Sequence, residues 1–145
     1  MWRPLRHCLL LLLILTTAAA AHADFYVVVH TSQPVRDLSQ RDAVDLFMGR
    51  HRSLGNTASA QPLDLPKDSP ARAAFYRALT GMSLAQINSY WARLTFTGRT
   101  TPPLTVTSEA AVSEAIKRNA AAIGYLSTEP ADPHMRVVLV VKDAH

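Results

Sequence analysis

Apolar positions in this chain follow two periods, and the switches between them mark its elements. Phe25-Tyr26-Val27-Val28-Val29 is an unbroken β-branched and aromatic run, the pattern of a strand covered on both faces. Ser39 then offers a helix cap, with Asp42 at the third helical position, Leu38 placed to staple onto Ala43, and Val44, Phe47 and Met48 spaced as an inward stripe. Gly49 is suited to end that helix in the left-handed conformation. From Arg50 to Gln61 no period survives among Arg, Ser, Gly, Asn and Thr, which predicts an exposed loop leading to a short strand over Pro62-Leu63-Asp64-Leu65.

Ser69-Pro70 is a second helix start, a hydroxyl cap followed by proline where its missing N–H is not needed. Ala71, Ala74, Phe75, Ala78 and Leu79 form the stripe expected to face inward. Gly81 stops that helix, Ser83 caps the next, and Leu84, Ile87, Trp91 and Leu94 carry an apolar face as far as Gly98, so the two helices form a hairpin. Beyond Pro102-Pro103, Leu104 to Thr107 reads as a short strand, Ser108 as a cap, and Ala111, Val112, Ala115 and Ile116 as a stripe. Ile123 to Leu126 and Arg136 to Val141 read as closing strands. Strands alternating with helices in this order predict an α/β layer architecture with a mixed, mostly parallel sheet flanked by helices.

Ahead of all this, Arg3 and Arg6 precede an apolar run from Cys8 to Leu15, and Ala21-His22-Ala23 gives a small-x-small site. That is the layout of a cleaved export signal, so residues 1–23 are expected to leave and residues 24–145 to form one domain. The uninterrupted apolar stretch is shorter than the roughly 20 residues of a bilayer span, hence no stable membrane insertion is expected after cleavage. The only cysteine, Cys8, leaves with the signal, which suits an oxidising periplasm.

Composition narrows the class further. At 48% apolar and 18% charged, with 5 Gly and 9 Pro, the chain is neither disordered nor fibrous. Its net charge of +4 falls to +2 when Arg3 and Arg6 go, leaving 13 basic against 11 acidic residues. Basic residues are scattered apart from Arg50-His51-Arg52 and are not interleaved with aromatic ones, which argues against nucleic acid.

Catalytic motifs are missing as well. No Gly-x-Ser-x-Gly elbow, glycine-rich phosphate loop or mature cysteine occurs, so neither an enzyme nor a cofactor is expected. His30, His51, His134 and His145 share no metal-ligand spacing, and read as surface residues. Asp42 and Asp45 share a solvated helix face. What remains is the helix start at Ser69, where a hydroxyl and backbone donors stand beside Lys67 and Arg72; the three are the candidate anion site, with Ser69 serving only as a cap as the alternative.

Taken together, Leu38-Ser39 through Leu46-Phe47-Met48-Gly49-Arg50, Pro62-Leu63-Asp64 into Asp68-Ser69 and Phe75-Tyr76, Tyr90-Trp91 with Phe96-Thr97-Gly98-Arg99 and Pro102-Pro103, and Ala122-Ile123-Gly124-Tyr125 resemble a known pattern. It is similar to small phosphate ABC transporter substrate-binding-like proteins of the type 2 periplasmic-binding superfamily. The resemblance implies a single lobe of that two-lobed fold. It further implies a secreted, non-enzymatic protein of phosphate or oxyanion uptake or sensing, working with an ABC permease or a periplasmic sensor. Phosphate binders of the family continue the serine matching Ser69 with glycine and threonine and carry an arginine four residues before it; here Pro70, Ala71 and Leu65 stand in those places. Whether Lys67 or Arg72 supplies the missing cation is open at this point. The alternative is an interaction module that has lost its ligand and docks on a sensor or envelope partner.

Overall fold

The computed structural model describes residues 24–54 and 58–143; the segment carrying the export reading lies outside them. The first strand, β1 (Phe25–His30), lies inside the sheet, antiparallel on one side to β6 (Ala122–Leu126) and on the other to β7 (Met135–Val141). Beyond β6 lies β4 (Gln61–Asp64), parallel to it, and β5 (Leu104–Thr105) is parallel to β4 at the edge. The order is therefore β5-β4-β6-β1-β7, with four strands sharing one direction and β1 opposed, which is the mixed, mostly parallel sheet expected. Its interior position explains the apolar run of β1: Phe25, Val27, Val28 and Val29 are all buried. The register of β1 against β7 shifts between Val27 and Val28, and the carbonyl of Val138, left over by the bulge, accepts from the Leu38 N–H. That bond fixes where the chain enters α1 (Gln40–Phe47).

Helices cover both faces. α4 (Glu109–Arg118) lies directly on β6, where a Cβ added to Gly124 would come within 2.5 Å of Val112 Cγ1, so only glycine permits this approach. The next residue, Tyr125, points to the opposite face. There its ring stacks on Phe75 of α2 (Pro70–Thr80) at 3.7 Å between centroids, with Phe25, Phe47 and Tyr76 meeting the pair edge-on. α3 (Leu84–Thr97) returns from Gly81, which has φ +76°, to complete the helical hairpin. Gly49, with φ +73°, allows Trp91 of α3 to reach the end of α1; a Cβ there would lie 2.8 Å from the indole.

Two expectations are corrected. The stretch after Arg50 is not all loop: β2 (Ser53–Leu54) pairs antiparallel with β3 (Ala58–Ser59) because fully buried Leu54 pins an otherwise polar segment to the core. The inward face of α2 is also rotated from the alanine stripe. Ala74 is exposed, whereas Arg72, Phe75, Tyr76, Ala78 and Leu79 are buried. A buried partner for two polar side chains outweighed the apolar period, and that partner forms the site.

Candidate functional site

Asp64 closes β4 with its carboxylate pointing into the junction with α2, and it is 4% exposed. An ionised carboxylate so buried demands donors, and the fold supplies four. Oδ1 accepts from Tyr125 Oη at 2.6 Å and from the Leu65 N–H at 2.9 Å. Oδ2 accepts from Arg72 Nε at 2.8 Å and from Tyr76 Oη at 3.0 Å. Burial first, and the Asp64 charge second, push both phenols above the ordinary tyrosine range, so each keeps the proton it donates.

Arg72 is 5% exposed and spends its guanidinium in three directions. Nε meets Asp64, and Nη1 donates to Asn88 Oδ1 at 2.7 Å and to the Lys67 carbonyl at 3.1 Å. Its carbon ζ lies 5.2 Å from the centroid of Tyr76, one helical turn on. Nη2 has no hydrogen-bond partner among the described residues. Because Asn88 is held through its oxygen, its amide nitrogen is left as a donor without a partner in the same set.

These side chains border a groove of about 470 Å³ at the carboxyl end of β4 and β5. Asp64, Arg72, Asn88, Lys67, Thr95 and Thr105 supply its polar groups; Leu65, Trp91, Phe96, Pro102 and Pro103 contribute an apolar wall. Phe96 is 93% exposed on that wall, and the Trp91 Nε1 atom is the one buried side-chain polar atom without a partner among the described residues.

Of the three residues singled out in the sequence, Lys67 and Arg72 border the groove and Ser69 does not. Ser69 caps α2, its Oγ accepting from the Arg72 N–H at 3.3 Å, while its carbonyl takes the Ala73 N–H. With Pro70 lacking an N–H, Ala71 is left with the one unpaired amide in the first turn of α2. Arg72 is tied to Asp64 rather than standing free beside Ser69, and Lys67 is exposed with no ion pair among the described residues. Asp64, Asn88 and Phe96 were missed as site residues; the usable signal was Arg72 and Tyr76, two polar residues one turn apart, following an aspartate at the end of an apolar strand.

Elsewhere the fold brings together His30 and His134, remote in sequence, with ring centroids 6.3 Å apart. No group of three or more His, Cys, Asp or Glu suited to a metal ion occurs among the described residues.

No protein-family model matches the chain, and no curated protein matches it. Among solved structures, a protein from Clostridium perfringens assigned as a phosphate ABC transporter substrate-binding protein, with phosphate bound, superposes with a TM-score of 0.63 at 20% identity, over 80% of this chain and 45% of its own. An ABC-type phosphate transport receptor from Vibrio cholerae superposes with a TM-score of 0.59 at 18% identity, over 80% of this chain and 46% of its own. The chain thus spans about half the length of the proteins it resembles. Both are named as binding proteins or receptors of transport, not as enzymes. Likeness at these identities establishes the fold: the described domain has the α/β architecture of a single lobe of a periplasmic-binding-protein-like structure.

Proposed function

We propose that this chain is an exported, non-enzymatic solute-binding-like protein of the periplasm, serving uptake or sensing of phosphate or a related oxyanion, with residues 24–145 as the working domain after loss of the signal. The observation that carries the reading is that Arg72 and Asn88, each with an N–H group that has no partner among the described residues, border one groove with Lys67 at the carboxyl end of β4. Unpaired donors next to a cation are what an anion needs. The phosphate held by the structural neighbour from Clostridium perfringens supports the same direction. Among the described residues no helix is long and apolar enough to cross a membrane. A permease or a periplasmic sensor is the partner such a role calls for.

An exposed lysine and an arginine already neutralised by Asp64 make a thin site for a bare ion, so inorganic phosphate is expected to bind at about millimolar strength, near 4 kcal/mol. Titration calorimetry with phosphate and sulfate, at low and physiological salt, tests this; heat that fades as salt screens Lys67 supports it. The rival reading, a ligand-free module docking on a sensor or envelope partner, draws on the same thinned site and on the exposed Phe96. It gains the ground if no anion produces heat.

A further inference from the structure

We infer that the groove takes an amphipathic oxyanion, a small phosphonate or carboxylate carrying an aryl or short alkyl group, in preference to inorganic phosphate. This rests on the anion reading above and specifies its ligand.

The charge requirement comes from Asp64. Each of its oxygens already accepts two hydrogen bonds, from Tyr125 and Leu65 and from Arg72 and Tyr76, so it has nothing left for a cationic or donor-rich ligand. The charged and amide groups left over are donors, Arg72 Nη2, the Asn88 amide nitrogen and the Lys67 ammonium, and the Thr95 and Thr105 hydroxyls beside them can donate as well as accept. An acceptor-rich head group fits them.

The apolar requirement comes from the opposite wall. Inorganic phosphate stripped of water needs donors on every side, and here half of its surroundings would be Leu65, Trp91, Phe96 and two prolines. Phe96, on the apolar wall of the same groove, is 93% exposed and leaves a large apolar ring in water. A ligand with an aryl or alkyl body covers that ring while its head reaches the donors, as small-molecule sites usually combine an apolar lining with a few fixed polar groups. Trp91 adds a second observation, since its buried Nε1–H finds no acceptor among the described residues, and an indole N–H so placed ordinarily has one.

The test is titration of the naturally processed protein with phosphate, with phenylphosphonate and with neutral benzyl alcohol. Phenylphosphonate is expected to bind at least about tenfold more tightly than phosphate, a difference of about 1.4 kcal/mol, and benzyl alcohol not measurably. Phe96→Ala is expected to lower phenylphosphonate affinity severalfold and far more than phosphate affinity; so exposed a residue can be changed with little effect on the fold. Phosphate binding as tightly as phenylphosphonate, or a preference left undiminished by Phe96→Ala, overturns this inference and leaves the oxyanion reading standing. Benzyl alcohol binding as well as phenylphosphonate overturns the charge requirement. Absence of binding by either anion overturns the inference and the oxyanion reading together.

Discussion

Asp64 and Arg72 face each other across the turn joining β4 to α2, Oδ2 to Nε at 2.8 Å, with both side chains buried. Removing two charges from water is costly, and the pair holds only because Tyr76, Tyr125 and the Leu65 amide fill the remaining lone pairs of the carboxylate while Asn88 and the Lys67 carbonyl accept from Arg72 Nη1. The two partners are not equivalent. Without Arg72, Asp64 still has three donors; without Asp64, Arg72 and both phenols lose their acceptor together. Asp64→Leu is therefore expected to destabilise by about 3–5 kcal/mol, and Arg72→Met by less, in denaturant melts at neutral pH.

The two phenols predict an alkaline limit. Tyr76 and Tyr125 are raised by burial and by the Asp64 charge, so between the ordinary value near 10 and their folded values only the unfolded chain ionises. Their contribution is complete below about pH 10 and drains away as pH rises, each tyrosine adding a slope of about 1.4 kcal/mol per pH unit. Stability measured in denaturant from pH 8 to 11 is expected to fall above 10, and Tyr125→Phe to remove about half of the slope these two tyrosines cause.

Much of this was legible along the chain, because it was local. Ser39, Ser69, Ser83 and Ser108 each accept from the backbone three residues on, as cap positions should, and Gly81 and Gly98 end their helices with positive φ. The apolar run of β1 announced a strand covered on both faces, and it is buried between β6 and β7. What could not be read depended on contacts between remote segments. Nothing local to Arg72 or Tyr76 says that Asp64, on a different element, will bury them, so periodicity assigned Ala74 to the core instead. Leu54 was one apolar residue among polar ones, and only its burial shows why β2 and β3 pair. Asn88 and Phe96 occupy ordinary helix positions and acquire a common purpose only through the groove.

Export is expected to cut the chain between Ala23 and Asp24, after the small-x-small site that follows the apolar run. Intact mass and N-terminal sequencing of protein from a periplasmic extract check this. The structure makes such a new terminus harmless: Asp24 stands just ahead of β1, where its carboxylate pairs with Lys142 at 2.9 Å, and ordered sheet begins at Phe25. Recovery of the uncut chain from the inner membrane would count against it.

Ser69 and Phe75 lie on the same helix and separate the local from the tertiary contributions to its stability. Ser69 gives α2 one hydrogen bond, Oγ to the Arg72 N–H at 3.3 Å, in a half-exposed turn where water can take over. Losing such a cap costs about 1 kcal/mol. Phe75 is fully buried between Phe25, Phe47, Tyr76 and the stacked ring of Tyr125. Truncating it opens a cavity that rigid aromatic neighbours and the sheet behind them cannot readily close, at about 3–5 kcal/mol. Equilibrium melts are thus expected to rank Phe75→Ala well above Ser69→Ala. The two sites should also differ at the groove: Ser69→Ala leaves the Asp64 network in place, whereas Phe75→Ala removes the surface against which Tyr125 is stacked while donating to Asp64 at 2.6 Å. Loosening of Tyr125 should then appear as a smaller alkaline slope in Phe75→Ala, with the slope of Ser69→Ala unchanged.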